Sequence, residues 1–384
     1  CGDIQHKAQG EADPVLVQRL CELSGPVIDW LCVRHNLNLT LVEGFLYPGH
    51  SALRMHAPPS RAGADLMADF GRAVAAVDIT VMTQAHVTDL YASPDGGICG
   101  VRIARPDGAA EYIGCDALIL ACNGFGGNPA MVQDHIPNMG SALYFGHQGN
   151  QGDAISWGQA LGAATRHLGA YQGHGSVAEP HGILISWALM MQGGLQINRD
   201  GKRFSNEHSG YSEQARRVIA QPSGFAWNLF DDRLLDLGRG FEDFRQAEAL
   251  GAIQSAPTIP ALAEMISVPA AQLAETLGLV VGYATRQERD AFGRDFSQHP
   301  MLEPPYHALK VTGALFHTQG GLVVDAKARV LRRDGTPLPN LLAGGGAACG
   351  VSGSEDWGYL SGNGLLTAAT LGYRAGLTAA DLVG

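Results

Sequence analysis

Short apolar strands alternate with glycine clusters along the C-terminal part of the chain. HTQGG at 317–321 precedes an apolar strand, a second strand at 337–343 leads into glycines at 344–346, and SGNG at 361–364 opens a helical pattern. Glycines at a strand end and at a helix start let backbone N–H groups come close to a ligand, and a helix N-terminus favours negative charge. The pattern therefore predicts a ligand-binding cradle in an α/β fold. The alternative is an ordinary Gly-rich loop between a strand and a helix.

Composition narrows the class of protein. The chain has 384 residues, enough to bury the cores of two or three domains, and 51 of them are glycine. Its net charge of −11 argues against nucleic acid and anionic membranes as partners, because both attract clustered Lys and Arg. No apolar run approaches ~20 residues, so no membrane span is predicted.

The seven cysteines are scattered along the chain and form no CxxC spacing. Their number is odd, and several lie in apolar strands. This distribution favours buried, reduced thiols in a cytoplasmic protein over disulfides or a zinc site. No metal site is predicted.

The first third of the chain predicts helices followed by a β-meander. Asp13-Pro14 is a favourable helix start, and apolar periodicity continues this helix toward His35. We expect a second helix at 63–77 and a short strand at 79–82. Three strands separated by Asp-Gly turns are expected next, near 85–91, 98–104 and 110–113.

A wholly apolar run at 117–121 predicts a buried parallel strand, and it leads into the glycine-rich loop CNGFGGN at 122–128. Gly152-Asp153 then starts a further helix. From about residue 170 to 300 the pattern changes to mixed helices and turns, and parallel-strand patterns return only after Lys310.

This interruption predicts how the chain divides into domains. A nucleotide-binding domain is expected from residues 1–168 together with residues 302–384. An α+β capping domain of residues 169–301 is expected to be inserted between these two parts.

Taken in order, these motifs resemble the flavoprotein family of fumarate reductase, succinate dehydrogenase, L-aspartate oxidase and the 3-ketosteroid dehydrogenases. The resemblance covers nearly the whole chain. It rests on the meander, on Gly152-Asp153, and on LILACNGF, DGKRFSNE, HTQGG and SGNGL at 118–125, 200–207, 317–321 and 361–365. It implies FAD as the cofactor and a glutathione-reductase-like FAD-binding domain.

The chain departs from that family at its N-terminal end. Family members begin with a strand, a GxGxxG turn and a helix that hold the FAD pyrophosphate, and none precedes Asp13. A similar run at 173–178 lacks a preceding apolar strand, so it is not that turn. We therefore expect an N-terminally truncated domain, whose missing strand–helix–strand unit of roughly 30 residues belongs to the same protein. A degenerate relative is the alternative.

The resemblance also implies which residues contact FAD. The main chain of Val87 is expected at the adenine, and the loop after the apolar run at 117–121, together with Asp153, at the ADP part. The glycines after the strand at 337–343 are expected at the ribityl chain. The start of the last helix is expected at the pyrimidine end. The complete set is Val87, Ala121, Cys122, Asn123, Gly124, Asp153, Gly344, Gly345, Gly362, Asn363, Gly364, Leu365 and Leu366.

Two histidines are implied as substrate contacts. His317 precedes the Gly-Gly pair beside the flavin and matches a family histidine that holds a substrate carbonyl or carboxylate. A loop histidine bonded to the backbone is the alternative for it. His174 occupies the place of a second substrate histidine, although its surroundings, QGHGS, differ from the family's His-Pro-Thr.

Tyrosines stand where the fumarate reductases have arginines. Tyr211 falls at the position of their proton-donating arginine, and Tyr359 and Ser361 lie where a second substrate arginine is expected. The loss of two fixed cations argues against a C4-dicarboxylate substrate. A tyrosine combined with Tyr-x-Ser is similar to some ketosteroid dehydrogenases, in which phenols move a proton and polarise a ketone.

Structural alternatives exist for these residues. Tyr211 and Tyr359 could be packing aromatics with satisfied hydroxyls. Ser361 is expected to contact the flavin or to orient Tyr359. Arg203 is expected to pair with Glu207, or to assist a substrate oxygen.

We therefore expect an FAD-dependent oxidoreductase that transfers a hydride between flavin N5 and a C–C bond activated by a carbonyl. Tyr211 or Tyr359 would move the proton. The substrate is a small molecule, and the sequence does not identify the electron donor or acceptor. Two alternatives stay open: a fumarate-reductase-like enzyme acting on a carboxylate, with Arg203 or Arg216 as the clamp, and a flavin-free protein that acts by association.

Overall fold

The computed structural model describes residues 1–44, 46–285 and 288–384. Its helices are α1 (Gly2–Lys7), α2 (Pro14–His35), α3 (Gly63–Ala75), α4 (Pro129–His135), α5 (Asp153–Ala160), α6 (Ala188–Met191), α7 (Tyr211–Ile219), α8 (Asp232–Arg239), α9 (Glu242–Ala249), α10 (Ile259–Met265), α11 (Ala270–Thr285) and α12 (Asn363–Val383).

The strands are β1 (Thr40–Leu41), β2 (His56–Ala57), β3 (His86–Ala92), β4 (Ile98–Ala104), β5 (Ala110–Gly114), β6 (Leu118–Leu120), β7 (Leu143–Tyr144), β8 (Thr165–Arg166), β9 (Tyr171–Ala178), β10 (Ile183–Leu184), β11 (Leu195–Ile197), β12 (Phe225–Asp231), β13 (Ile253–Ala256), β14 (Tyr306–Thr318), β15 (Gly321–Leu322), β16 (Arg329–Leu331) and β17 (Pro337–Ala343).

Local sequence signals correctly predicted several element starts. Asp13 caps α2, and its carboxylate accepts hydrogen bonds from the backbone N–H groups of Val15 and Leu16. The meander forms as β3–β4–β5, and α3 and α5 begin where they were expected. The expected strand at 79–82 is wrong: Ile79 and Val81 are 58% and 67% exposed. No strand of the described chain pairs with this segment, and an extended segment becomes a strand only through such pairing.

A small sheet has three strands, in the order β16-β17-β6. The pair β17 and β6 is parallel, with Leu341 opposite Leu118 and Ala343 opposite Leu120. Leu338 and Leu341 are fully buried in its core. The parallel pairing predicted from the apolar run is confirmed, but the predicted burial holds only for Leu120, because Ile119 is 36% exposed. Both strands end at the same edge of the sheet, so the loops that follow them lie side by side.

The larger sheet has seven strands built around β14, in the order β10-β9-β14-β12-β11, with β13 and β7 also paired to β14. β14 is antiparallel to β9, β12 and β13 and parallel only to the two-residue β7. The predicted return to parallel pairing after Lys310 is therefore wrong for β14 and holds only for β17. β14 carries His317 at its C-terminal end, so this strand joins the large sheet directly to the glycine-rich region.

Among the described residues, no helix combines the length and the apolarity needed to cross a lipid bilayer.

Candidate active site

The loops after β6 and β17 touch each other and the end of β14. A Cβ added to Gly124 would lie 1.9 Å from Thr318 Oγ1, and one added to Gly346 would lie 2.0 Å from Asn123 Oδ1. The Gly344 N–H donates to the Leu120 carbonyl at 3.1 Å, which locks the two strand ends together. These contacts leave no room for side chains, so glycine is required at both loop positions.

The start of α5 completes one side of this cradle. The Gly152 N–H donates to the Gly124 carbonyl at 3.1 Å, and Asp153 is the first residue of the helix. The Cys122 side chain lies at the backbone N–H of Ala154 in the first turn. The predicted residues Cys122, Gly124 and Asp153 are thus brought together beside a helix N-terminus.

The start of α12 forms the opposite side. Gly362 precedes the helix with φ +86°, and the imidazole of His317 lies against Gly364, where an added Cβ would meet His317 Nε2 at 2.9 Å. Leu365 is 67% exposed although it is apolar, whereas Leu366 packs against the core. Asn363 is buried and its side chain points inward to Ser352, so only its main chain is available to a ligand.

The surface of this cradle consists mainly of backbone atoms, and this would suit the binding of FAD. Gly345 has φ +59°, and beside it an added Cβ would touch only Ala368 of α12, at 3.7 Å, so the surface next to the helix start is bare backbone. The first N–H groups of a helix lack intrahelical partners and favour an electronegative edge. At α12 the N–H groups of Gly362 and Gly364 already face the Tyr359 hydroxyl, so the bare backbone beside Gly345 is the surface that would suit the edge of a flat ring. The residues that would hold it are those of the loops at 121–124 and 344–346 and of the first turn of α12.

Two tyrosines meet beside this helix start. Tyr211 is the first residue of α7, Tyr359 follows a short helical turn at Asp356–Gly358, and their ring centroids are 6.2 Å apart in a T-shaped arrangement. The Tyr211 hydroxyl is hydrogen bonded to Tyr359 and to Ser361. The Tyr359 hydroxyl accepts from the backbone N–H groups of Gly362 and Gly364. The two tyrosines and Ser361 therefore form one connected set.

The surroundings make the two phenols unequal. Burial raises the pKa of Tyr211 well above its usual value, and the neighbouring Tyr359 raises it further. Burial also raises the pKa of Tyr359, to about 12, but the backbone N–H groups of Gly364 and Gly362 and the bond from Tyr211 act in the opposite direction. Tyr359 is therefore the better holder of negative charge, and Tyr211 is the hydrogen-bond donor of the pair.

Both predicted histidines lie next to this pair. The ring of His174 stacks on that of Tyr211 with centroids 4.9 Å apart, and the ring of His317 meets that of Tyr359 edge-on at 5.8 Å. Burial lowers the pKa of His174 to about 3 and that of His317 to about 4. Each imidazole is neutral at physiological pH and can donate one hydrogen bond without carrying charge.

Sequence reasoning missed an aromatic wall on the same side of the site. Phe316 stacks on His174 at 5.5 Å and on Phe145 at 4.8 Å, so rings run in series from Phe145 to Tyr211. Tyr47 also packs in the cluster that contains both tyrosines. These aromatics come from separate parts of the chain, and no spacing in the sequence links them.

A buried histidine that was also missed anchors Ser361. His50 is 8% exposed, and its Nε2 lies 3.0 Å from the carbonyl oxygen of Ser361. It comes from the segment between β1 and β2, more than three hundred residues away in sequence. No motif surrounds it, so only the fold connects it to the site.

The arginines considered as substrate clamps are already paired. Arg203 donates to both carboxylate oxygens of Glu207 and of Asp290 and to the Ser205 carbonyl, and its side chain is 5% exposed. Arg216 forms an ion pair with Asp356 at 2.7 Å. All three nitrogens of the Arg203 guanidinium are thus engaged, which favours its structural role.

The remaining assignments stay predictions. Val87 lies in β3 and pairs with Ile103 of the meander, and its contact with adenine stays a prediction. The same holds for the FAD contacts of the other residues in the predicted set and for the catalytic roles of the tyrosines and histidines. The cytoplasmic location expected from the cysteines is also still a prediction.

Curated relatives match nearly the whole chain. An NADH:fumarate oxidoreductase of Klebsiella pneumoniae is 27% identical over 371 residues, which cover 96% of this chain and 39% of the relative. A 4-oxocyclohex-2-ene-1-carboxylate 5-dehydrogenase of Sinomonas cyclohexanicum is 27% identical over 396 residues, which cover 89% of this chain and 65% of the relative. The chain therefore spans less than two thirds of the length of either relative.

Solved structures share the fold. A flavocytochrome c3 fumarate reductase in an open conformation matches with a TM-score of 0.79 and 26% identity, over 99% of this chain and 66% of the other. A 3-ketosteroid-Δ4-(5α)-dehydrogenase of Rhodococcus jostii RHA1, in complex with 4-androstene-3,17-dione, matches with a TM-score of 0.74 and 21% identity, over 98% and 82%. The second likeness shows the fold alone.

A family model described as an FAD binding domain matches residues 3–365. This match covers almost the whole chain and agrees with the glycine cradle. The chain belongs to this FAD-binding family of flavoproteins.

Proposed function

We propose that this protein is an FAD-dependent oxidoreductase that acts on a C–C bond next to, or conjugated with, a ketone. The observation that carries the proposal is the connected set of Tyr211, Tyr359 and Ser361 at the N-terminus of α12. When bound, FAD supplies the hydride acceptor or donor. The side chains of this protein supply orientation, a proton and charge stabilisation.

The tyrosine pair would handle the proton. Tyr211 donates to Tyr359, whose hydroxyl is held by two backbone N–H groups. A phenol with a raised pKa stays protonated at neutral pH and can give its proton only to a strongly basic carbon or oxygen. Hydride addition to an enone creates such an atom, the enolate carbon next to the ketone, and we assign Tyr211 or Tyr359 to protonate it. In the reverse direction the same residue, as a phenolate, would take the proton from that carbon.

The neutral imidazoles would hold the carbonyl. His317 lies against the start of α12, and His174 lies in the aromatic wall. A neutral donor in a buried site stabilises an oxygen that gains partial negative charge during the reaction. Because neither ring is protonated, neither would bind a carboxylate as a cation does.

The side chains that line the site indicate the class of substrate. The wall of Phe145, Phe316 and His174 is aromatic, and Arg203 and Arg216 are held in ion pairs. Aromatic faces favour apolar ring systems, whereas a dicarboxylate needs free guanidinium groups. These observations support a cyclic enone or ketone.

A fumarate-reductase-like activity on a carboxylate is the second candidate. It is supported by the 27% identity to the NADH:fumarate oxidoreductase. It would require Arg203 or Arg216 to leave its partner when substrate binds. The buried pairing of Arg203 with Glu207 and Asp290 makes that exchange costly.

A visible absorption spectrum of the full-length protein tests the shared part of both candidates. We expect a yellow protein with a flavin band, and a colourless protein that takes up no added FAD would support the flavin-free alternative. Cyclic enones and fumarate, offered in parallel as oxidants of the reduced protein, then separate the two activities. Faster oxidation by fumarate than by every enone would refute the ketone assignment.

We also propose that a strand–helix–strand unit outside this sequence binds the FAD pyrophosphate. Within the described residues β6 pairs on one side only, with β17, and Ile119 of β6 is 36% exposed. A further strand along that edge would cover this surface. The test is to compare FAD affinity of this chain with that of the full-length protein, and equal affinities would refute the proposal.

We propose that the chain divides into domains at residues 1–168, 169–301 and 302–384, although one sheet is shared between them. β14 begins at Tyr306 yet pairs with β9 and β12, so its sheet crosses the second boundary. The middle part would cover the flavin and exclude water from the hydride transfer.

A further inference from the structure

The side chains behind His317 form a single hydrogen-bonded chain. Gln319 Nε2 lies 2.8 Å from His317 Nδ1, the Ser352 hydroxyl lies 2.8 Å from Gln319 Oε1, and Asn363 Nδ2 lies 3.3 Å from Ser352 Oγ. Gln319, Ser352 and Asn363 are 5%, 1% and 2% exposed. The chain is therefore shielded from water, and each of its members depends on the others for partners.

The direction of these hydrogen bonds follows from the donors available. Asn363 Nδ2 donates to Ser352 Oγ, so the Ser352 hydroxyl proton goes to Gln319 Oε1. The Gln319 amide then presents its Nε2 hydrogens to His317. Only an unprotonated Nδ1 accepts such a bond, so the single proton of the neutral ring resides on Nε2. The Thr318 carbonyl oxygen lies 3.4 Å from Nδ1, farther than Gln319 Nε2 at 2.8 Å, so the shorter contact determines the tautomer.

We propose that Gln319, oriented by Ser352 and Asn363, is a positioning residue that fixes His317 in the Nε2–H tautomer. The Nε2 edge of the ring lies against Gly364 in the first turn of α12. The His317 Nε2–H group is therefore a hydrogen-bond donor beside the backbone N–H groups at the start of α12. An acceptor in Gln319's place would turn the imidazole proton away from the site.

The inference depends on the proposed function only for the identity of the group that accepts the hydrogen bond from His317 Nε2–H. The tautomer itself is a property of the protein and needs neither flavin nor turnover. A failed activity assay would therefore not contradict the Nε2–H tautomer. Likewise, an NMR result against that tautomer would not contradict the proposed oxidoreductase activity.

Nitrogen-15 NMR of the histidine-labelled full-length protein tests the proposal, with His317 signals assigned by their loss in His317→Ala. We expect wild type to show a protonated Nε2 and an unprotonated Nδ1. Gln319→Met keeps the volume but removes the donor, and should shift both ring nitrogens toward the averaged positions of a tautomer mixture. Gln319→Glu supplies an acceptor and should move the proton to Nδ1.

Two further variants complete the design. Ser352→Ala frees the Gln319 amide and should also produce a mixture, which covers the case that Gln319→Met does not fold. Gln214→Met is the matched control, because Gln214 is fully buried and hydrogen bonded to Ser205 and Gln196 but not to His317. A wild-type Nδ1–H tautomer, or His317 signals unchanged in both Gln319→Met and Ser352→Ala, would overturn the proposal.

Discussion

The Tyr211 hydroxyl is hydrogen bonded to that of Tyr359, and their rings meet edge to face with centroids 6.2 Å apart. One tyrosine starts a helix of the middle segment and the other precedes the final helix. The backbone N–H groups around Tyr359 make it the more acidic of the two. The pair is thus polarised toward the cradle, which is the arrangement that the proposed proton transfer needs.

Replacing Tyr211 with Phe should remove the proton donor and keep the ring stacked on His174. We expect kcat with an enone or ketone to fall by about 10²–10⁴-fold, the usual contribution of a positioned acid or base. Steady-state kinetics measure this loss. Tyr171→Phe is the control, since the buried Tyr171 hydroxyl has no hydrogen-bond partner among the described residues. It should leave kcat unchanged and stabilise the fold by about 1 kcal/mol.

A methyl group at Gly364 should displace His317. The added Cβ would lie 2.6 Å from His317 Cε1, so the ring must move away from the start of α12. We expect Gly364→Ala to lower kcat/KM by at least about 10-fold, which corresponds to about 1.4 kcal/mol, and kinetics together with FAD titration check this. Gly376→Ala on the same helix meets no atom within 4 Å and should stabilise the protein by about 0.5–1 kcal/mol. Equal effects of the two variants would contradict the placement of His317.

Arg203 should matter for stability rather than for substrate binding. Its side chain is 5% exposed and pairs with Glu207 and Asp290, so Arg203→Met removes the ion-pair partner of Asp290 and leaves Glu207 with Arg294 alone. We expect the free energy of unfolding to fall by about 3–5 kcal/mol, measured by chemical denaturation. Arg19→Ala, which breaks a surface pair with Glu22, should have no measurable effect. A stable but inactive Arg203→Met protein would return Arg203 to the list of catalytic residues.

His174 should make the fold sensitive to acid. Burial holds its pKa near 3, below the 6.5 of an unfolded histidine, so between these values the unfolded chain takes up a proton that the folded protein does not. Stability therefore falls as pH drops below 6.5 and is fully restored above it. His174→Phe, which can keep the stacking, should reduce the loss between pH 7.5 and 5 by about 2 kcal/mol. Denaturant unfolding at the two pH values gives the difference, and parallel behaviour of variant and wild type would contradict it.

Local signals predicted the elements that their own residues determine. Asp13 and Pro14 mark a helix start because capping needs only neighbouring atoms, and the apolar run around Leu118–Leu120 marks a strand that pairs in parallel with β17. The run at 79–82 failed because strand formation depends on a partner that the local sequence does not reveal.

The parts of the site that lie within one contiguous sequence motif could be predicted from the sequence. Tyr359, Ser361 and Gly364 lie within six residues of one another, so their proximity could be expected. The wall of Phe145, Phe316 and His174 could not, because it joins three distant segments through the pairing of β14 with β7 and β9. The pairing of Arg203 with Asp290 likewise spans 87 residues. Such contacts depend on topology, which residue spacing does not encode.

The two phenols come from different segments of the chain, and this has a consequence for biosynthesis. A polypeptide that has folded its middle part but has not yet docked the segment before α12 holds only one of the two hydroxyl groups in place. Under the proposed mechanism, the Tyr211 hydroxyl would therefore gain its hydrogen-bond acceptor only when the segment that carries Tyr359 has docked.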